Sequence, residues 1–210
     1  ILVTTAVLIV LPALFFFFVD FCALPMGNRL LASLFQSVTP RTAGFNTVTL
    51  SAMTGVSQAV LIFLMMVGGS PGSTAGGMKT TTLAVLIANA ASTFRQRDSL
   101  QFFGRRVDCN AIKTAATILT MYLALFFGGA VFISMYEDIP LSLCLYETAS
   151  AVGTVGLTLG ITPQLHIPSQ IVLIALMYLG RVGGLTLVYA TFSSRKVGNA
   201  KLPQEKITIG

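Results

Sequence analysis

The sequence predicts an all-α integral membrane protein with two tandem repeats, each made of a helix, a re-entrant loop and a second helix. Three observations predict this fold class: an apolar composition, an alternation of long and short apolar segments, and an internal repeat. Of the 210 residues, 54% are hydrophobic and 10% are charged, whereas soluble domains carry about 25% charged residues. The composition therefore excludes an ordinary soluble domain.

The first repeat covers residues 1–91. Residues 3–21 are almost continuously apolar, which is long enough to cross a hydrocarbon core of about 30 Å. They lack the basic start of a signal peptide, so we expect a membrane span within a longer protein. Residues 29–38 are predicted to form a helix too short to cross, and the polar residues 39–47 follow it. Irregular backbone at membrane depth must be covered by protein or water, which indicates a re-entrant loop.

The second long segment of this repeat is interrupted in its middle. Residues 52–67 and 81–94 are apolar, but each is short for a complete crossing. One broken crossing fits better than two, and broken helices lie at ion and substrate paths in transporters. The candidate residues of the intervening loop are mostly small, namely Gly68, Gly69, Ser70, Gly72, Ser73, Thr74, Gly76, Gly77 and Lys79.

The second repeat, over residues 114–192, has the same order of segments. A span at residues 114–135 precedes a short helix at 141–151, a glycine-containing loop and a last span at 169–192. A polar connector at residues 92–113 joins the repeats, and a basic tail at 193–210 ends the chain.

Residues recur in the two repeats at a nearly constant separation of 111 to 112 positions. Ala-Leu-Phe-Phe at residues 13–16 returns at residues 124–127. Thr42 and Gly44 correspond to Thr154 and Gly156, 112 residues later, and residues 64, 65 and 68 recur at the same offset. Because one connector joins the repeats, they have the same orientation, as expected around a central pore.

The charges predict which side of the membrane each segment faces. The connector and tail hold nine of the thirteen Lys and Arg residues, so the positive-inside rule places both in the cytoplasm. The outer face then carries four of the seven acids, which would raise the local cation concentration. Each acid taken singly is equally explained as a solvated loop residue. These acids are Asp20, Glu137, Asp138 and Glu147.

Two loops have the chemistry of an ion filter. Thr42-Ala43-Gly44-Phe45 and Thr154-Val155-Gly156-Leu157 each combine a threonine with a glycine two residues later. Glycine permits unusual φ/ψ values, and backbone carbonyls can replace the hydration shell of a cation. Thr-Val-Gly also occurs in ordinary turns, so this interpretation depends on the membrane context and the repeat. A carbonyl cage needs about four converging loops, of which the chain supplies two.

The combined stretches resemble the membrane (pore) subunit of the Ktr/Trk/HKT superfamily of potassium transporters, in particular the C-terminal half of the bacterial KtrB-like type. The matching stretches are residues 39–46, 68–80, 153–157 and 180–187. The resemblance implies a four-repeat, pseudo-tetrameric, cation-channel-like fold, in which this chain contributes repeats three and four.

The resemblance also implies a function, which is potassium uptake. Gly44 and Gly156 would line the filter and coordinate K⁺, the loop at residues 68–80 would gate the pore, and Arg181 would form a positive barrier. K⁺ is the expected transported ion, with Na⁺ as a stimulating ion and no covalent cofactor. The implied partners are a second membrane subunit in a homodimer, a KtrA-like nucleotide-binding ring in the cytosol and membrane lipid, with no nucleic acid.

Competing interpretations of the function remain open at this stage. A sodium-coupled transporter of an organic solute also uses broken helices, but it is expected to have inverted repeats. A phosphate loop at residues 77–80 would need its glycine directly before Lys79, and Met78 intervenes. No paired carboxylates or nucleophile elbow occur at membrane depth in the sequence, so we expect no enzyme.

Single residues also have alternatives. Arg181 could form an ion pair instead of a barrier, since basic residues at membrane depth usually face the bundle interior. Lys79 could anchor its loop or face a cytoplasmic cavity. We expect His166 to be a solvated loop residue, and we expect the cysteines, which have no metal-ligand spacing, to be small apolar fillers. The cysteines are Cys22, Cys109 and Cys144.

Overall fold

The computed structural model describes residues 1–96, 101–102 and 105–182. Within them the chain is mostly helical, with one short hairpin. The elements in chain order are α1 (Leu2–Val19), α2 (Met26–Val38), α3 (Gly55–Met66), α4 (Thr80–Phe94), β1 (Gln101–Phe102), β2 (Arg105–Arg106), α5 (Cys109–Glu137), α6 (Leu141–Val152) and α7 (Ile167–Val182). Every helix predicted in these ranges is present.

Two of the described helices are long and apolar enough to cross a membrane. They are Leu2–Val19 and the stretch Asn110–Glu137 of α5. Helix α5 begins five residues before the predicted start at residue 114, because Asp108 caps it and accepts a hydrogen bond from the Asn110 amide. Of the predicted last span, α7 accounts for residues up to Val182, and the remainder lies outside the described residues.

The predicted break in the second long segment is confirmed. Helix α3 ends at Met66 and α4 begins at Thr80. An isolated parallel bridge between Val67 and Met78 closes the base of the intervening loop. The Gly68 amide donates to the Met78 carbonyl at 2.9 Å and the Thr80 amide donates to the Gly69 carbonyl at 3.1 Å. Backbone groups released by the break therefore find partners within the loop itself.

The connector contains a short hairpin that the sequence analysis did not predict. β1 pairs with β2 in antiparallel orientation, with Gln101 opposite Arg106 and Phe102 opposite Arg105. Two-residue strands carry too little alternating pattern to be recognised in a polar segment.

In each predicted repeat, an acidic residue at the end of the first long helix accepts hydrogen bonds from the start of the second long segment. Near the end of α1, Asp20 accepts hydrogen bonds from the Thr54 amide at 3.1 Å and from the Ser57 hydroxyl at the start of α3. At the end of α5, Glu137 accepts from the His166 amide at 2.9 Å at the start of α7. Thr54 and His166 are 112 residues apart, as in the predicted repeat, whereas Asp20 and Glu137 are 117 residues apart.

Helix α6 lies at the centre of the described bundle. Its residues from Tyr146 to Val152 are all buried, and it packs against α3, α5 and α7. Close backbone approach needs glycine at two places. A Cβ on Gly180 of α7 would overlap the Val152 carbonyl oxygen, and one on Gly153 would overlap the Met65 carbonyl oxygen. Small residues of this kind let membrane helices pack at short range.

We expect Gly180→Ala to lower the free energy of unfolding by about 1–3 kcal/mol, because a backbone carbonyl occupies the place of the new methyl group. Gly128→Ala in α5 is the matched control, since nothing lies within 4 Å of its Cβ position. Removing a helix-interior glycine there should be neutral or stabilising by up to about 1 kcal/mol. Thermal unfolding of the full-length protein in detergent measures both, and equal melting temperatures for the two variants would contradict the packing described.

Candidate functional site

The two predicted filter loops have the same unusual backbone conformation. Thr42 and Gly44 have φ values of 69° and 74°, and Thr154 and Gly156 have values of 52° and 92°. The residue between each pair does not have a positive φ. In an extended strand successive carbonyls point to opposite sides, whereas alternation in the sign of φ allows neighbouring carbonyls to face one side. Positive φ at threonine is strained, and such strain clusters at functional sites.

The two loops touch each other. A Cβ on Gly44 would overlap the Val155 carbonyl oxygen. The backbones of the two loops therefore lie so close together that a side chain at position 44 would not fit between them. The Thr42 hydroxyl lies 3.4 Å from the Gly153 carbonyl oxygen, to which it donates. Segments more than a hundred residues apart in the chain are thus brought together at the predicted filter.

The side chains of the two loops have different surroundings. Ala43 and Phe45 are exposed in the described part of the chain, whereas Val155 and Leu157 are buried. The loop at residues 154–157, named the fourth-repeat loop after its predicted position, is therefore packed against protein. The loop at residues 42–45, named the third-repeat loop, presents its side chains outward. The shared feature of the loops is their backbone.

Each loop is held by the end of the short helix before it. In the third repeat, the Thr39 hydroxyl donates to the Phe45 carbonyl at 2.6 Å. In the fourth repeat, the Ser150 carbonyl accepts from the Val155 amide at 2.9 Å, and the Ser150 hydroxyl accepts from the Gly156 amide at 3.1 Å. The loop conformations are thus specified by local hydrogen bonds.

Glu147, which the sequence analysis assigned to the outer face with the other acids, is buried and not exposed to solvent. Its side chain is only 4% exposed and lies behind the fourth-repeat loop. One carboxylate oxygen, Oε1, accepts from the Thr158 hydroxyl and from the Leu159 amide at 3.0 Å. The other, Oε2, accepts from the Thr162 hydroxyl at 2.7 Å. Sequence reasoning missed this contact because nothing local marks an acid in a short helix as the anchor of a loop.

The fourth-repeat loop and Arg181 line one cavity of about 550 Å³. Thr154 and Gly156 contribute to one part of its wall and Arg181 of α7 contributes to another. Arg181 is exposed in the described part of the chain. The cavity also has an apolar wall, formed by Ala151, Leu173 and Met177.

The loop that interrupts the second long segment lies directly against the fourth-repeat filter loop. A Cβ on Gly76 would overlap the Thr154 side chain. The Thr154 hydroxyl is buried, and it has no hydrogen-bond partner among the described residues. This contact places the broken helix beside the predicted filter, as expected of a loop that controls access to it.

Two basic side chains are bound to this interrupting loop. Arg41, from the third-repeat filter loop, donates to the Gly68 carbonyl at 3.3 Å. Lys79 donates from Nζ to the Ala75 carbonyl at 2.6 Å and to the Ser73 carbonyl at 3.1 Å. Lys79 therefore anchors its own loop, which agrees with one of the two alternatives left open above. The tip at residues 71–74 is exposed.

The remaining candidates are distributed as follows. Cys144 is buried and Cys22 is exposed, and no group of three potential metal ligands occurs among the described residues. The His166 side chain is 73% exposed, but its Nδ1 lies 2.7 Å from Glu137, so the residue is solvated and also partnered. Residues 183–187 of the last stretch that carries the resemblance and the basic residues of the tail lie outside the described residues.

We expect Gly44→Ala to destabilise the protein more than Gly72→Ala. Both glycines have a positive φ, of 74° and 84°, so both variants incur the left-handed penalty of about 1–2 kcal/mol. Only at Gly44 does the added methyl group meet a backbone carbonyl, while nothing lies within 4 Å at Gly72. Thermal unfolding of the full-length protein measures the difference. A Gly72→Ala variant as unstable as Gly44→Ala would argue against direct contact between the filter loops.

Comparison with known proteins identifies the family. Residues 1–202 match the TrkH family, described as cation transport proteins. The chain is 39% identical over 189 residues to the potassium/sodium uptake protein NtpJ of Enterococcus hirae. The aligned region covers 87% of the chain and 42% of that relative. The chain is 34% identical over 183 residues to the Ktr system potassium uptake protein B of Bacillus subtilis, covering 87% and 41%.

The fold also matches a solved structure. The crystal structure of the potassium transporter TrkH from Vibrio parahaemolyticus superposes with a TM-score of 0.77 at 21% sequence identity, covering 90% of this chain and 43% of that one. At this identity the likeness shows the fold alone. The chain spans about two fifths of the length of these relatives. With nearly its whole length matched by one family model, the chain belongs to the TrkH family of membrane cation transport proteins.

Proposed function

We propose that the full-length protein takes up K⁺ across the cytoplasmic membrane and that this chain forms the third and fourth of four repeats around its pore. The observation that carries the proposal is the pair of touching loops with matched positive φ at Thr42, Gly44, Thr154 and Gly156. The names of the relatives, which describe potassium and potassium/sodium uptake, agree with it.

In this proposal the ion is coordinated by backbone carbonyls. Carbonyls that face one side replace the hydration shell of a monovalent cation, and K⁺ would sit at the level of Gly44 and Gly156. The described chain provides two loops, so further loops from the rest of the protein would complete the ring. The filter residues are Thr42, Ala43, Gly44, Phe45, Thr154, Val155, Gly156 and Leu157.

Two obstacles below the filter would control flux. The interrupting loop at residues 68–79 contacts Thr154 and is attached at its base by backbone hydrogen bonds, so its exposed tip could move without unfolding the helices. Arg181 places positive charge in the wall of the cavity that the fourth-repeat loop also lines. A cation leaving the filter would meet this charge, which makes Arg181 the proposed barrier.

The arrangement in the membrane is part of the proposal. The repeats at residues 1–91 and 114–192 would lie in the bilayer, with the connector at 92–113 and the tail at 193–210 in the cytoplasm. There the hairpin and the tail would face a KtrA-like nucleotide-binding ring. Relatives are named as parts of Ktr systems. These names support the proposal that this protein works together with such a cytosolic component. A homodimer of membrane subunits and stimulation by Na⁺ complete the proposal.

Rb⁺ uptake by vesicles containing the full-length protein tests the function. We expect K⁺ to compete strongly, Na⁺ weakly and an amino-acid mixture not at all. Gly156→Ala should reduce the preference for Rb⁺ over Na⁺ by about tenfold, the effect of about 1.4 kcal/mol, because the new side chain strains a φ of 92° within the filter.

Gly72→Ala is the matched control for this assay. Its φ is 84° and nothing lies within 4 Å of its Cβ position, as at Gly156, but it lies at the exposed tip of the interrupting loop, outside the proposed filter residues. We expect it to keep the ion preference. Competition by amino acids but not by K⁺ would favour the solute transporter, and unchanged preference in Gly156→Ala would refute the filter assignment.

Removing either obstacle should raise Rb⁺ flux severalfold in the same vesicles. Deletion of residues 70–74 joins Gly69 to Ala75, which are already neighbours in space, and leaves the base of the loop intact. Arg181→Ala removes the barrier charge, and Arg181→Lys, which retains it, is the control. Slower or unchanged flux in the deletion variant would contradict gating, and lost expression of Arg181→Ala but not Arg181→Lys would indicate an ion pair.

A further inference from the structure

Glu147 and Ser150 lie on one face of α6 and hold the fourth-repeat loop at two points. Ser150 binds the amides of Val155 and Gly156. Glu147, one helical turn earlier, binds the segment that follows the filter through Thr158, Leu159 and Thr162. Because α6 is buried from Tyr146 to Val152, these two residues attach the loop to a closely packed part of the described bundle.

The third-repeat loop lacks this arrangement. The residue 112 positions before Glu147 is Phe35, which cannot accept a hydrogen bond. That loop is held instead by the Thr39 hydroxyl on the Phe45 carbonyl. The carboxylate anchor is therefore a property of the fourth repeat and not of the repeat unit.

The geometry of the carboxylate argues against direct binding of a cation. Three donors already occupy its two oxygens, and each donor directs a hydrogen atom at them. A buried carboxylate with three donors fixes its partners strongly, since hydrogen bonds to charged groups are worth about 1.5–3 kcal/mol. In this structure Glu147 holds the segment at residues 158–162 through one backbone amide and two hydroxyls.

We propose that Glu147 is a positioning residue that fixes the outer end of the fourth-repeat loop and thereby sets the ion preference of the filter. The inference rests on the proposed function, because it assumes that residues 154–157 form part of that filter. Glu147 acts through the Leu159 amide and the hydroxyls of Thr158 and Thr162, at two to six residues from Gly156.

Glu147→Gln separates hydrogen bonding from charge. The amide oxygen of glutamine can accept from Thr158 and Leu159, while its NH₂ group can donate to the Thr162 hydroxyl oxygen. Glu147→Ala removes all three contacts and the charge together. A positioning role predicts that the Gln variant is close to the natural protein and that the Ala variant is not.

The experiment measures Rb⁺ uptake and its inhibition by Na⁺ in vesicles with the full-length protein. We expect Glu147→Ala to lower the Rb⁺-over-Na⁺ preference by about tenfold and Glu147→Gln to change it by less than about threefold. Thr162→Val removes one of the contacts and should have an intermediate effect. Adding it to Glu147→Ala should have a smaller effect than Thr162→Val alone, because only the bond between the Thr162 and Thr158 hydroxyls is then left to lose.

Specific results would overturn the inference. Unchanged preference in Glu147→Ala does so, and so does an equal loss in Glu147→Gln and Glu147→Ala, which would indicate an effect of charge. If Glu147→Ala does not fold, the Thr162→Val variant is the test. A Rb⁺-over-Na⁺ preference in Thr162→Val equal to that of the natural protein would then contradict the positioning role. A full-length natural protein that shows no preference for Rb⁺ would refute the proposed function itself, which distinguishes the two failures.

Discussion

The need to satisfy irregular backbone inside a membrane is the constraint on which the rest of the structure depends. Backbone groups outside helices lose their partners, and lipid offers none. In this chain the loops around Gly44 and Gly156 are bound by the ends of α2 and α6. The break between α3 and α4 is closed by its own backbone bonds. These local solutions allow non-helical backbone to lie beside a permeation path.

The same constraint brings the functional parts into contact. The interrupting loop packs on Thr154, and Arg41 of the third-repeat loop binds the Gly68 carbonyl. Proposed filter, gate and barrier therefore share neighbours, with Arg181 lining the cavity of the fourth-repeat loop. A change in the conformation of one part can therefore shift another part through direct contact.

Much of the fold followed from residue pattern. The described helices were correctly predicted from long apolar runs, from the short helix before each filter glycine and from the Gly/Ser/Thr break. This is because the thickness of the hydrocarbon core and the need to hydrogen-bond every backbone group in lipid allow few arrangements of a chain. The hairpin at Gln101–Arg106 was missed, since strands of two residues carry almost no periodic signal. Glu147 was grouped with the acids of the outer face by its place in the order of segments, but its burial was not predicted, because the three donors that stabilise it there lie 11 to 15 residues later.

The sequence by itself determined the class of protein, the two repeats and the candidate filter, break and basic residues, because each depends on composition and spacing along the chain. Tertiary structure alone decided which of them meet. The contact of Gly44 with the Val155 carbonyl, the Gly76–Thr154 packing and the Glu147 anchor each join residues whose separation in sequence says nothing of their separation in space. Positive φ at Thr42 and Thr154 was likewise decided by the fold, because threonine has no intrinsic preference for it.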